Sequence, residues 1–446
     1  MTCITTQDCN TCQKIQQLSE ENLKLKKELD NLKRALMRYE NPHTPPSRRM
    51  YPTKTSDHTK NQKRFPGRPK GLKGTTRPRP KTPDIIKAPE RKCTCNHCGA
   101  LLQEIRVQHR FVEDIPNRQP KQVIDFLRFE YQCTKCHEHT TVTHPDCPPE
   151  GVFGKNALAQ TTLMKFNQRL PFEKVSEQME QQFGISMTPA TALEITRRVS
   201  QYLTPEYEVL LGKIRRAKVL YIDETGMKVD GKNYWIWVFA SGNETYYVLR
   251  KSRGRNVLAE VLGKDFKGYI VSDGWKSYGI FSGELQRCWA HLLREAEWVG
   301  QQVAEGKSLY LGLKRLYGEV QDSLADDPPL WLRRQIRVSA ESELEALLVK
   351  RYRSREAKRF VKKVRNGFWN WFTFVAVPGV EATNNRAERA LKEPVVQRKI
   401  IGTLRNEKGT RIYEVMMSLL ATWKQRGLNP YEAISDSLVT AWSKTS

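Results

Sequence analysis

The chain has 446 residues, of which 75 are Lys or Arg and 49 Asp or Glu, giving a formal net charge of +26. Apolar residues make up 39% and charged residues 28%, which excludes a wholly disordered chain and leaves room for roughly two to four domains. The longest apolar stretch, Tyr234 to Ala240, is far short of the ~18–20 residues of a membrane span, so no membrane partner is expected. The opening MTCITTQDCN has no apolar h-region, so no secretory signal is expected either. The expectation is a soluble, cytoplasmic protein whose basic surface attracts a polyanion.

The first predicted element is a coiled coil within residues 10–40. Ile15, Leu18, Asn22, Leu25, Leu29, Leu32 and Leu36 alternate at spacings of three and four, with leucine at every d position. Asn22 at an a position favours a parallel self-pairing dimer. The plainer alternative is an amphipathic helix packed on the chain's own body. Residues 41–92 then hold ten prolines, and 15 Lys or Arg face three acidic residues, a local charge of +12. Such a segment cannot fold alone. Its plainer reading is a solvated linker that grips phosphates without preference. Within it, Pro66-Gly67-Arg68-Pro69-Lys70-Gly71 looks like an AT-hook, with Arg68 and Lys70 as its DNA contacts.

Residues 93–147 form a predicted zinc-binding domain. Cys95-x2-Cys98 and Cys133-x2-Cys136 are 34 residues apart, and two such knuckles complete a tetrahedral four-thiolate shell for Zn²⁺. Between them Arg106 to Phe111 and Gln122 to Tyr131 largely alternate apolar and polar residues, as strands do, so the unit reads as a zinc ribbon. Gly99 suits the tight turn after the first knuckle. Four thiolates leave no position for water, so this zinc is structural; four buried or redox-active thiols are the alternative.

Residues 151–212 are predicted to be helical. One helix carries Phe172, Val175, Met179 and Phe183 on a face; a second is capped by Thr188 and opens with Pro189. Its expected apolar stripe is Leu193, Thr196, Val199 and Leu203, with Arg197 and Arg198 outside as candidate DNA contacts. The short Gly184 turn between them resembles a helix-turn-helix, although any helical hairpin has the same pattern.

From Lys218 the pattern changes to strands. Lys218 to Asp223 is an apolar run ending in a carboxylate, and Asp230-Gly231 and Ser241-Gly242-Asn243 are hairpin signals bracketing Tyr234 to Ala240. Glu244 to Arg250 gives a third strand, Gly254 to Leu262 a helix, and Gly268 to Ser272 a fourth strand delivering Asp273. Three antiparallel strands, a helix and a strand match the order of a ribonuclease-H-like core, in which strands one and four are neighbours. Asp223 and Asp273 are then expected to meet and, with Glu388 from a later helix, to bind Mg²⁺ or Mn²⁺ through oxygen ligands. Taken singly, Glu388 also fits a capping box with Asn385.

Asp273 and Glu388 are separated by 114 intervening residues, which predicts an α-helical insertion over residues 295–378. Leu309 to Leu324 and Glu341 to Val364 have helical spacing, broken by Asp326-Asp327-Pro328-Pro329. Phe368 to Phe372 reads as insertion core, with stacking on an unpaired base as the alternative. The catalytic domain is thus expected to combine residues 218–294 with 379–434. The overall class is multidomain α+β.

Tyr221-Ile222-Asp223-Glu224-Thr225, Val271-Ser272-Asp273-Gly274-Trp275, Cys288-Trp289-Ala290-His291 and Asn384-Asn385-x-x-Glu388-Arg389-Ala390 together resemble the insertion-sequence-66-type transposases. The resemblance implies a DDE triad of Asp223, Asp273 and Glu388 that cleaves double-stranded DNA at element ends and joins the freed 3′-hydroxyl to a target. It also implies His291 near the scissile phosphate, small element-encoded companion proteins, and a prokaryotic, nucleoid-associated setting. Arg389, Arg398 and Lys399 are candidate phosphate contacts; a solvated basic helix face is the alternative. A non-catalytic zinc-containing regulator and a structure-selective nuclease remain as other readings.

Overall fold

The computed structural model describes residues 18–26, 28–29, 121–263, 265–274 and 285–444, with isolated positions at 82, 86, 97 and 99–101. The chain divides into two units, Arg49–Lys121 and the remainder. Only scattered positions of the first are described. One is Gly99, whose φ of +72° is the left-handed turn conformation that favours glycine. In the second unit residues 18–26 and 28–29 are helical, and Leu18, Leu25 and Leu29 of the predicted heptads are exposed. Ile15, Leu32 and Leu36 lie outside the described residues, as do Arg68, Lys70, Cys95, Cys98 and the predicted strand Arg106 to Phe111.

Strands β1 (Phe129–Gln132) and β2 (His139–Val142) form an antiparallel hairpin with Cys133 and Cys136 in its turn. The alternation from Gln122 predicts a longer strand, but residues 122–128 are irregular, and pairing begins only where β2 can reach. Among the described residues, β1 pairs with β2, which lies beyond the second knuckle.

Three helices follow: α1 (Lys155–Phe166), α2 (Phe172–Phe183) and α3 (Pro189–Arg215). Gly184 ends α2 in the left-handed region at φ +68°, where its N–H and that of Ile185 close onto Glu180 and Met179. Thr188 caps α3 by accepting the N–H of Thr191. A small core of Met164, Val175, Met179 and Ala192 joins the three. The buried face of α3 runs through Ala192, Ile195, Thr196, Val199 and Leu203, whereas Leu193 is exposed. Beyond Leu203 the same helix continues into the main core, where the Tyr207 hydroxyl donates to the Tyr247 carbonyl.

The central sheet contains β3 (Val219–Val229), β4 (Lys232–Ala240), β5 (Thr245–Arg250), β6 (Tyr269–Ser272) and β7 (Leu285–Arg287), in the order β5-β4-β3-β6-β7. Helix α4 (Arg255–Leu262) connects β5 to β6. Strands β3 to β5 form an antiparallel meander, while β6 and β7 run parallel to β3. Asp230 and Gly231 both have positive φ, 50° and 70°, as a two-residue turn matched to strand twist requires. Strand β3 does not stop at Asp223 but continues to Val229, because β4 supplies a partner for every residue from Tyr221 onward.

Four helices follow the sheet: α5 (Trp289–Gln302), α6 (Ala304–Ser323), α7 (Leu330–Val349) and α8 (Arg355–Arg365), with a short α9 (Thr373–Ala376). The single helix expected over Glu341 to Val364 is two, broken at residues 350–354. The Glu305 carboxylate accepts the N–H groups of Arg353 and Ser354 and the Ser354 hydroxyl, so a side chain of α6 stabilises the break. Trp371 and Phe372 are buried against Trp289, which makes this part of the aromatic run core; Trp369 is exposed.

Helices α10 (Asn385–Ile401), α11 (Glu407–Gln425) and α12 (Pro430–Trp442) complete the chain. Helix α11 covers the sheet edge at β5. Glu414, Ser418 and Thr422, one turn apart, accept the N–H groups of Leu249, Tyr247 and Thr245, so alternate donors of the edge strand are satisfied by side chains. No helix among the described residues is long and apolar enough to cross a membrane.

Candidate active site

The parallel ladder between β3 and β6 pairs Val219 with Tyr269, Leu220 with Ile270 and Tyr221 with Val271. Asp223 and Asp273 each lie two residues beyond the last pair of this ladder, near enough for the Asp273 charge to act on Asp223. Burial raises the Asp223 carboxyl well above its ordinary range; Glu224, Asp273 and Glu388 push it the same way, and the Glu224 N–H, 2.9 Å from Oδ1, opposes them. Glu224 itself points into the interior and is neutralised by Arg253 at 2.7 Å, whose guanidinium lies over the Trp235 ring.

Glu388 sits in the first turn of α10. Burial raises its carboxyl; Arg294 opposes this and Asp273 adds to it. The capping-box explanation for Glu388 does not hold. The N-cap is Asn384 rather than Asn385, and no side-chain cap bond forms. Instead, Oε1 of Glu388 lies 3.5 Å from Nδ1 of His291.

Three hydrogen bonds stitch the acid-bearing segments together. The Cys288 N–H donates to Ser272, the residue before Asp273, at 2.9 Å. The Asn384 N–H donates to the Cys288 sulfur at 3.1 Å, and Asn384 Nδ2 donates to the carbonyl of Ile222, the residue before Asp223, at 2.9 Å. Buried polar groups satisfied across elements in this way cost free energy to break, because each leaves an unpaired partner. Asn384 and Cys288 therefore act as struts between the segments that carry the acids.

Arg287, which the motif reading passed over, ends β7 immediately before Cys288. Its guanidinium packs over Trp371 and against Gly274, and a β-carbon at Gly367 would overlap it. Burial lowers its pKa, and the Asp273 charge partly offsets that. A basic residue flanking a recognised motif was the available signal, but only the fold brings it beside Asp273.

The remaining candidates are dispersed. Arg197 pairs with Glu194 on the surface of α3, and Arg198 donates to the Glu150 carbonyl. Arg398 turns inward and bonds to Thr225 and Gly226 of β3, so its guanidinium braces the strand that carries Asp223. Arg389 and Lys399 are exposed. Cys133 and Cys136 are exposed in the hairpin turn, where N–H groups of Cys136 and Lys135 hold the Cys133 thiol below its ordinary range.

A mixed sheet flanked by helices, with Asp223, Asp273 and Glu388 near enough to influence one another's ionisation, defines an α+β protein. The chain belongs to the Transposase IS66 family, whose model matches residues 150–412. Two proteins of Sinorhizobium fredii are similar to it. Uncharacterized protein y4qI is 22% identical over 330 residues, which cover 65% of this chain and 59% of that protein. Uncharacterized protein y4jD is 24% identical over 398 residues, covering 80% and 76% respectively. The chain thus spans less than two thirds of the first relative's length.

Proposed function

We propose that the chain is a DDE transposase that binds the ends of its element, cleaves double-stranded DNA and joins the 3′-hydroxyl to a target. The observation that supports this reading is that Asp223 and Asp273 follow the paired ends of neighbouring strands β3 and β6, together with the electrostatic influence among them and Glu388. The strand order β5-β4-β3-β6-β7 and the helix between β5 and β6 support a ribonuclease-H-like core interrupted by a helical insertion.

The donor set fits Mg²⁺ or Mn²⁺, being all oxygen and destabilised by its own mutual repulsion. When bound, the cation would supply Lewis-acid stabilisation of the oxygens that attack and leave phosphorus. Asp223, Asp273 and Glu388 would hold it. Arg287, beside Asp273, would receive a non-bridging phosphate oxygen, since a guanidinium suits phosphate geometry. His291, against Glu388, would face the same phosphate.

The other parts serve DNA capture in this reading. The exposed leucines of residues 18–29 support self-association through a coiled coil. The basic linker would track phosphates, and Cys95, Cys98, Cys133 and Cys136 would hold a structural Zn²⁺. Helices α2 and α3 would present Arg197 and Arg198 to DNA. Small element-encoded proteins are proposed as accessory partners, and a cytoplasmic, nucleoid-associated setting follows from a DNA substrate.

The test is incubation of purified protein and Mg²⁺ with DNA carrying the element's own ends. Nicks followed by joined products are expected. Asp223→Ala should abolish both while retaining end binding, and cleavage by that variant would refute the assignment.

A further inference from the structure

Beside Glu388 lies a cluster of side chains of the kinds that ligate metals. Cys288 Sγ, His291 and a Glu388 oxygen all lie within 4.8 Å of one another. Cys288 is the N-cap of α5 and His291 follows one turn later, so both project from the first turn of one helix. Glu388 approaches from the first turn of α10. The sulfur is buried, but the side chains of His291 and Glu388 are 15% and 33% exposed, which leaves an entry path.

We infer that Cys288, His291 and Glu388 form a site for a borderline-soft divalent cation, Zn²⁺ by class, distinct in donor chemistry from the oxygen site at Asp223 and Asp273. One sulfur, one imidazole nitrogen and one carboxylate oxygen are three ligands of a tetrahedral shell, with the fourth place left to water or phosphate. Magnesium does not compete well for such a set, because it prefers oxygen throughout. The sulfur accepts the Asn384 N–H at 3.1 Å, which fixes its position, while burial holds the thiol above its ordinary range. Binding exchanges the Cys288 S–H bond for an S–metal bond and releases one proton to solvent.

The site itself follows from these three residues. Only its consequence, that occupancy ties Glu388 to Cys288 and His291 and draws it from the Asp223–Asp273 cation, rests on the proposed role of Glu388. Zinc would then regulate the same carboxylate that the proposed cleavage uses.

Full-length protein stripped of metal is titrated with Co²⁺ as the spectroscopic probe, with equilibrium dialysis against Zn²⁺ in parallel. The expected result is that Cys288→Ser binds about one ion fewer than wild type and loses part of the thiolate-to-cobalt absorption. His291→Gln should weaken the same ion by about tenfold or more, equivalent to about 1.4 kcal/mol. Equal stoichiometry and an unchanged cobalt spectrum in Cys288→Ser would overturn the proposal. Unchanged affinity in His291→Gln would overturn it as well, whatever the folding of the cysteine variant. Failure of the transposase reading appears separately, as an absence of DNA cleavage, because these readouts measure metal alone.

Discussion

The side-chain amide of Asn384 donates to the main-chain carbonyl of Ile222 across 162 residues of sequence. This bond joins the helix that carries Glu388 to the strand that carries Asp223. Asn384 is fully buried, so its loss leaves the Ile222 oxygen without a partner or access to water. Asn384→Ala should cost about 1–3 kcal/mol. It should also slow cleavage more than it weakens DNA binding, because it frees Glu388 relative to Asp223. Urea unfolding and single-turnover cleavage on one preparation check both expectations.

The raised Asp223 and Glu388 carboxyls make stability depend on pH in the reverse of the usual carboxylate sense. A group whose folded pKa exceeds its unfolded value binds more protons folded than unfolded, so stability falls as pH rises between the two values. For Asp223 this window opens near its ordinary value of 3.8 and extends upward. Metal-free protein should therefore lose part of its stability as pH rises from mildly acidic to neutral, and Mg²⁺ should restore it. Asp223→Asn should melt higher than metal-free wild type at neutral pH, because it removes a carboxyl whose charged form burial disfavours. Its response to Mg²⁺ should be smaller. Melting curves at several pH values, with and without Mg²⁺, measure this directly.

Gly367 provides the space that the Arg287 guanidinium occupies. Gly367→Ala introduces a β-carbon against the far end of a flexible side chain, which can move without disturbing the backbone. The expected outcome is a drop in cleavage of about 10–100-fold, on the order of 1.4–2.7 kcal/mol, and a stability change within about 1 kcal/mol. Arg287→Gln should reproduce the kinetic loss. If Gly367→Ala cleaves at the wild-type rate, Arg287 is not positioned for a phosphate.

Glu414 is buried and accepts both the Leu249 N–H, at 2.7 Å, and the Arg250 guanidinium, at 2.8 Å. Glu414→Ala should destabilise the protein by about 1–3 kcal/mol, since it leaves the Leu249 N–H without its acceptor while Arg250 keeps its pair with Glu260. Glu414→Gln keeps one acceptor and should cost less. Denaturant midpoints of the two variants order them.

Parts of this architecture were legible from residue pattern alone because they depend on neighbours close in sequence. The Asp230-Gly231 turn, the Thr188 cap with Pro189 behind it, and the strand at Tyr234 to Ala240 each follow from local backbone preference and periodicity. Other features depended on distant partners. Strand β3 runs past Asp223 because β4 pairs with it, not because Glu224 to Lys228 alternate in hydropathy. The break at residues 350–354 depends on Glu305 from another helix. Leu193 reads as core by spacing, yet Ala192 and Ile195 are buried in its place, since the neighbouring helices set which face of α3 is covered. Arg398 reads as a surface cation, and only the packing of α10 on β3 turns it inward.

The sequence by itself singled out the candidate carboxylates, because their types, order and flanking motifs are properties of the chain, and it pointed to the family. Tertiary structure alone decided what surrounds them. It put the Asn384 amide on Ile222, Arg287 beside Asp273, and Cys288 and His291 against Glu388. Hydrogen bonds and ligand shells act over a few ångströms, and residues more than a hundred positions apart acquire such distances only when the sheet and its helices pack.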